Sequence, residues 1–229
     1  MKVFYWYTIL ITLGMLLSVP VFFIKGRKDR GLHLLSFVIL GLITFTEVYG
    51  RYLGTLKVNN ALLYNINFVW IETVLLLWFL AWTIPGEKPK KAIQILGLLF
   101  IGFSSVNLLV FQPYNTFQSN AHTLGMMLIV GLCLVYFYKI MSQDLYMDRS
   151  LLSVPQFWIN AFILFFYATS FLFFISFQLL TDTLERQLIL DLYVYVKIMS
   201  ALLYLVMGLA YYAPLVFYDK SSNPLTHGK

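Results

Sequence analysis

Apolar positions in this chain are less periodic than continuous. Seven stretches, at 4–24, 32–53, 62–83, 93–112, 121–140, 157–179 and 188–212, run nearly unbroken between short polar connections. An α-helix needs about 20 apolar residues to cross the hydrocarbon of a bilayer, and each stretch meets that length. The pattern predicts an all-α, polytopic membrane protein: seven transmembrane helices in one bundle over 1–218, with a polar tail at 219–229. The connections carry turn chemistry. Ile84-Pro85-Gly86-Glu87-Lys88-Pro89 breaks the chain between the third and fourth stretches, and Gln112-Pro113-Tyr114-Asn115 ends the fourth. Pro155 suits a helix start, Pro20 a kink in the first helix, and Pro214 the close of the last.

Composition agrees. Hydrophobic residues make up 60% and charged residues 11%, and the mean hydropathy is +0.79. A soluble domain of this size could not hide so much apolar surface. The first stretch reads as a retained helix rather than a cleaved signal, because Tyr5 to Ile24 is long and is followed by Lys25-Gly26-Arg27-Lys28, with no small-residue cleavage site. Cys133 is the only cysteine, so no intrachain disulfide can form.

Charge gives the expected orientation. Lys25, Arg27, Lys28, Arg30, Lys88, Lys90, Lys91, Lys139, Arg149, Lys220 and Lys229 fall on one side; Lys2, Arg51, Lys57 and Arg186 fall on the other. Basic residues favour the cytoplasmic side, so the N-terminus is expected outside and the C-terminus in the cytoplasm of the inner membrane. The net charge of +6 then reflects topology and attraction to anionic lipid, and nucleic acid is not an expected partner. Aromatic residues, 18% of the chain, include Tyr5, Trp6 and Tyr7 at one end and Tyr211, Tyr212 and Tyr218 at the other, as interfacial belts would. Gly97, Gly102, Ser104 and Ser105 in the fourth stretch, and Gly125 and Gly131 in the fifth, suit close helix approach.

Candidate chemistry rests on ionisable residues inside the stretches, where a charge is costly and marks function. Glu47, Glu72, Asp191 and Lys197 qualify. At about 1.5 Å per residue, Glu47 lies roughly 9 Å below Leu53, Glu72 roughly 15 Å below Leu62, and Lys197 at about 14 Å, with Asp191 nearer the surface. Asn65, Asn67, Asn107 and His122 share this outer half, which predicts a polar pocket open to the outside. Asn65 and Glu72, seven apart, are expected on one helix face, and Tyr193, Lys197, Ser200 and Tyr204 form one stripe. Glu72 is the expected ion-pair partner of Lys197. Glu47 has Arg51 four residues on, so a plain intrahelical pair accounts for both. Asp191 is expected to be solvated and His122 to be a wetted helix-end residue. His33 and His227 lie elsewhere, so no metal cluster is expected, and no cofactor motif is present.

These residues bear on several function classes. A lysine in the last helix with a carboxylate in the third is similar to microbial rhodopsins, but their last helix carries Asp four residues before the lysine, where this chain has Tyr193. Small lysoplasmalogenase-like hydrolases have comparable size, and carboxylates with His122 could run acid–base hydrolysis, yet no hydrolase motif is present. A small-solute transporter would show discontinuous helices. The stretch from Tyr64 to Phe79, Glu47, the stretch from Gln156 to Tyr167 and the tyrosine-rich last helix together resemble a family of small seven-helix bacterial membrane proteins to which no chemistry is assigned. The architecture is also similar to seven-helix sensory modules that precede kinase or cyclase domains. These resemblances imply a membrane-embedded sensory or accessory module that signals through a separate protein. Its expected ligand is small and amphipathic or lipid-like, held by Glu72, Lys197, Asn65, Tyr193 and Glu47.

Overall fold

The computed structural model describes residues 6–24, 29–143, 146, 150–180 and 186–217. The tail at 219–229, and Tyr5 and Tyr218 of the expected belts, lie outside them. The described residues are helical, with no strand among them, and seven helices are long and apolar enough to cross a membrane. Helix α1 is Trp6–Ser18 and passes into a tighter 3₁₀ turn, Val19–Phe23, at Pro20. Helix α2 is Arg30–Thr55 and α3 spans Ala61–Thr83. Helix α4 spans Glu87–Phe111, α5 is Ser119–Gln143 and α6 is Pro155–Leu180. Helix α7 runs Arg186–Leu209, and further helical turns carry it to Val216. Each expected stretch is therefore a helix, with ends moved by a few residues.

Successive helices pack as neighbours, and α7 closes back on α1. Helix α3 is the most buried, touching α2, α4 and α5, whereas α4 stands at the periphery against α3 and α5. The core is a large apolar cluster that includes Ile39, Leu76, Leu80, Met126, Ile163 and Met207, with a smaller one of Val69, Phe100 and Ala121 between α3, α4 and α5. The connection after α3 is the expected breaker: Gly86 adopts φ 107, open to glycine but strained for other residues, and Lys139 donates to the Pro85 carbonyl at 2.7 Å.

Close helix approach occurs where it was not expected. A Cβ at Gly14 would sit 2.5 Å from the Tyr204 carbonyl oxygen, and a Cβ at Gly208 would overlap the Gly14 carbonyl. These two glycines let the backbones of α1 and α7 touch. Gly102 and Gly131 have open space where a side chain would stand. Of the expected small-residue contacts, Gly125 against Thr73 is the tight one, at 3.1 Å. The peripheral place of α4 is the reason: its small residues largely have no helix to admit.

Helix α3 holds a second departure. Between α-helical Ala61–Tyr64 and Thr73–Thr83, residues Asn65–Glu72 form a π-helix. A π turn takes more residues than an α turn, so a seven-residue spacing no longer returns to the same face. Asn65 and Glu72 consequently point to different neighbours. The terminal tyrosines differ from expectation as well. Tyr7 is buried and bonded across the bundle, and Tyr211, fully buried, shares a 2.9 Å hydrogen bond with Ser36. A tyrosine near a helix end serves an interface only where its hydroxyl reaches water, and these reach protein partners instead.

Candidate functional site

A cavity of about 1060 Å³ lies between the helices at the end of the bundle that carries the α2–α3 turn. Half of its wall comes from α1, α2 and α7 and is polar: Tyr7, Glu47, Arg51, Lys197 and Ser200, with Tyr193 nearby. The rest comes from α3, the α4–α5 connection, α5 and α6. It is aromatic, with Phe68, Phe117, His122, Phe166, Phe173 and Phe174. Thr55 and Asn60 lie at the turn, and Tyr64 of α3 adds a hydroxyl to the polar side. Gly50 makes room for Tyr64, since a Cβ there would come within 2.8 Å of the tyrosine ring.

The polar wall is internally connected. Tyr7 donates to Glu47 Oε1 at 3.4 Å, and its oxygen lies 3.0 Å from Ser200 Oγ, joining α1, α2 and α7. The Lys197 ammonium stands 4.2 Å from the centre of the Tyr193 ring, a cation–π contact one turn back along α7. Both Arg51 and Lys197 act electrostatically on Glu47. Glu47 therefore belongs to a cross-helix group as well as to its own helix face.

His122 corrects the expectation of a wetted helix end. It is 3% exposed, with ring centres of Phe68, Phe117 and Phe174 at 5.2, 5.4 and 5.0 Å. Among the described residues no group is hydrogen-bonded to its ring nitrogens. It forms part of the aromatic wall because the α4–α5 connection folds over the start of α5 and carries Phe117 onto it.

The ion pair expected between Glu72 and Lys197 does not form. Glu72 is fully buried away from the cavity, and its Oε1 accepts from Tyr204 at 2.7 Å and from Tyr167 at 3.0 Å. The physical reason is depth. Glu72 lies level with Tyr204, which donates to it across the bundle. Lys197 is seven residues, about 10 Å, nearer the cavity end.

No protein-family model matches the chain, and no curated protein or solved structure matches it either. The site therefore stands on its own geometry. Of the residues singled out from sequence, Glu47, Tyr193 and Lys197 are brought to one cavity, and Ser200 of the same α7 stripe joins them. Asn65 is not among them. Its amide donates to the carbonyls of Thr116 at 2.7 Å and Tyr114 at 3.4 Å, and its oxygen accepts from the Gln118 backbone at 3.0 Å. Trp70 donates to Gln118 Oε1 at 2.9 Å, so α3 fixes the connection that carries Phe117. Asp191 is exposed and accepts from Gln187 at 3.0 Å. Sequence reasoning missed Tyr7, Tyr64 and the phenylalanines. The one available signal was weak: Phe173-Phe174 and Phe165-Phe166 are doubled aromatics within a single helix.

Proposed function

We propose that this protein is a membrane-embedded sensory or accessory module. It binds a small amphipathic or lipid-like ligand in the cavity between its helices and acts through a separate protein partner. One observation carries the reading: a single cavity of about 1060 Å³ has a charged wall on α1, α2 and α7 and an aromatic wall on α3, α5 and α6. Ligand sites are commonly concave and mostly apolar, with a few convergent polar groups that fix orientation. The distribution of lysine and arginine supports an outside N-terminus in the inner membrane, so the cavity faces outward. Helix α7 supports the signalling half of the reading. Its stripe meets the cavity through Tyr193, Lys197 and Ser200 and the buried carboxylate through Tyr204, so a ligand and the bundle interior bear on one helix.

Heat unfolding of the protein in zwitterionic nanodiscs, with a set of dodecyl-chain amphiphiles, tests the reading. At least one member is expected to raise the midpoint in a saturable way, Lys197→Ala to lose that shift, and Asp191→Asn to keep it. A wild-type midpoint indifferent to every member would overturn it.

A transporter reading has one observation in its favour, the π-helical segment Asn65–Glu72 at the centre of α3. The helix nevertheless continues through it without unwinding. Nothing comparable favours a hydrolase, since the His122 ring packs among phenylalanines.

A further inference from the structure

Resting on the amphiphile reading, we infer that the inner end of the cavity is a second polar subsite, built from His122 and Ser170, that takes an uncharged hydroxyl on the apolar part of the ligand. Both residues line the cavity, and both are buried, at 3% and 2% exposure. Among the described residues the Ser170 hydroxyl has no hydrogen-bond partner. Thr12, Thr46, Ser105 and Thr169 each donate to the carbonyl four residues back, the usual refuge of a hydroxyl on a helix, and Ser170 does not. The ring contacts of His122 are Phe68, Phe117 and Phe174, none of which bonds to its nitrogens in the manner of a polar group. Buried polar groups are nearly always hydrogen-bonded, so two unanswered ones in a single cavity wall mark the place of a ligand group.

Depth places the two together. Tyr167, three residues before Ser170, donates to Glu72, and Gly125, three residues after His122, packs against Thr73 beside Glu72. At about 1.5 Å per residue, Ser170 and His122 both stand about 4–5 Å from the level of Glu72 toward the cavity end, well below Lys197. Phe174, one turn on from Ser170, has its ring centre 5.0 Å from that of His122. Among phenylalanines a charge has no counter-charge in contact and is costly, so this end suits uncharged groups. An uncharged imidazole has one N–H and one bare nitrogen that accepts. A phenyl face takes an N–H weakly, but it donates nothing to the bare nitrogen. The group that answers it must therefore donate. A hydroxyl does so and keeps its lone pairs for Ser170, whereas a ketone only accepts.

Equilibrium binding to nanodisc-embedded protein, with empty nanodiscs as background, decides the matter. The probes are dodecyl chains with a carboxylate, hydroxyl or trimethylammonium head. Each is used unsubstituted, with a further hydroxyl at successive chain positions, and with a keto oxygen at the same positions. For whichever head binds best, a hydroxyl at a mid-chain position is expected to tighten binding about tenfold over the unsubstituted chain, which corresponds to roughly 1.4 kcal/mol, and a keto oxygen there by less. In His122→Phe, which keeps the aromatic wall, that preference is expected to vanish, and Ser170→Ala is expected to weaken it. Unsubstituted chains that bind as tightly as every hydroxylated one overturn the inference, water then serving both groups, and leave amphiphile binding intact. A keto oxygen as effective as the hydroxyl overturns it too, as does a preference unaltered in both variants. If no probe binds saturably, the broader reading falls with it. Should the variants not fold, the comparison of hydroxyl, keto and unsubstituted chains on the unaltered protein is sufficient by itself.

Discussion

Glu72 is a buried carboxylate with no cation against it among the described residues, held through one of its two oxygens. Its Oε1 accepts from two tyrosine hydroxyls, one on α6 and one on α7, so a single side chain of α3 fastens three helices. A buried hydroxyl left without an acceptor costs about 1–3 kcal/mol. Glu72→Ala strands both tyrosines and leaves a void, and should lower stability by about 2–5 kcal/mol. Glu72→Gln keeps a carbonyl oxygen for both donors and should stay within about 1 kcal/mol of the parent. Denaturation with sodium dodecyl sulfate, followed by tryptophan fluorescence, compares the two, and equal losses would remove the tyrosine anchoring from the account. That Glu72 must be satisfied internally was legible in the sequence, because a carboxylate at the centre of an apolar run has no water. Its partners were not legible. The chain has 16 tyrosines, and nothing in their spacing says which hydroxyls turn inward.

At the scale of elements, the contact of α1 with α7 depends on two glycines. Gly208 has no room for a Cβ, since the Gly14 carbonyl occupies that space. Gly208→Ala should force the helices apart and destabilise the protein by about 1–3 kcal/mol. Gly102→Ala on α4 has open space and should be neutral or stabilise by up to about 1 kcal/mol through helix propensity. The same denaturation series measures both, and a harmless Gly208→Ala would show that the backbones do not touch. Sequence supplied the physical reason small residues matter but singled out those of α4 and α5, not Gly14 or Gly208. It could not say which glycines face a neighbour, because that depends on how the helices are arranged. The π segment of α3 was equally out of reach. Its residues read as ordinary apolar helix, and the extra residue per turn becomes evident only when Asn65 is seen clamping the α4–α5 connection while Glu72 turns to α6 and α7.

For the whole molecule, the proposed orientation is open to a direct check. Val58, in the α2–α3 turn, and Lys88, at the start of α4, are exposed at opposite ends of the bundle. Cys133 is buried and should not react in the folded protein. A membrane-impermeant thiol reagent added to intact cells should label Val58→Cys and leave Lys88→Cys unlabelled until the membrane is opened. The opposite pattern would invert the bundle and put the cavity on the cytoplasmic side.

The sequence by itself determined that there are seven membrane-length helices, about where each begins and ends, and which few ionisable side chains lie within them. It could do so because burial in lipid is a one-dimensional property: length and apolarity along the chain are enough to establish it. The tertiary structure alone decided that Lys197 belongs with Glu47 and not with Glu72. It also decided that His122 joins a phenylalanine wall and that Asn65 secures a loop. Each of those depends on the depth and rotation of one helix against another. A shift of two turns along α7, or one altered turn in α3, is enough to change which side chains meet, and nothing in local composition records either.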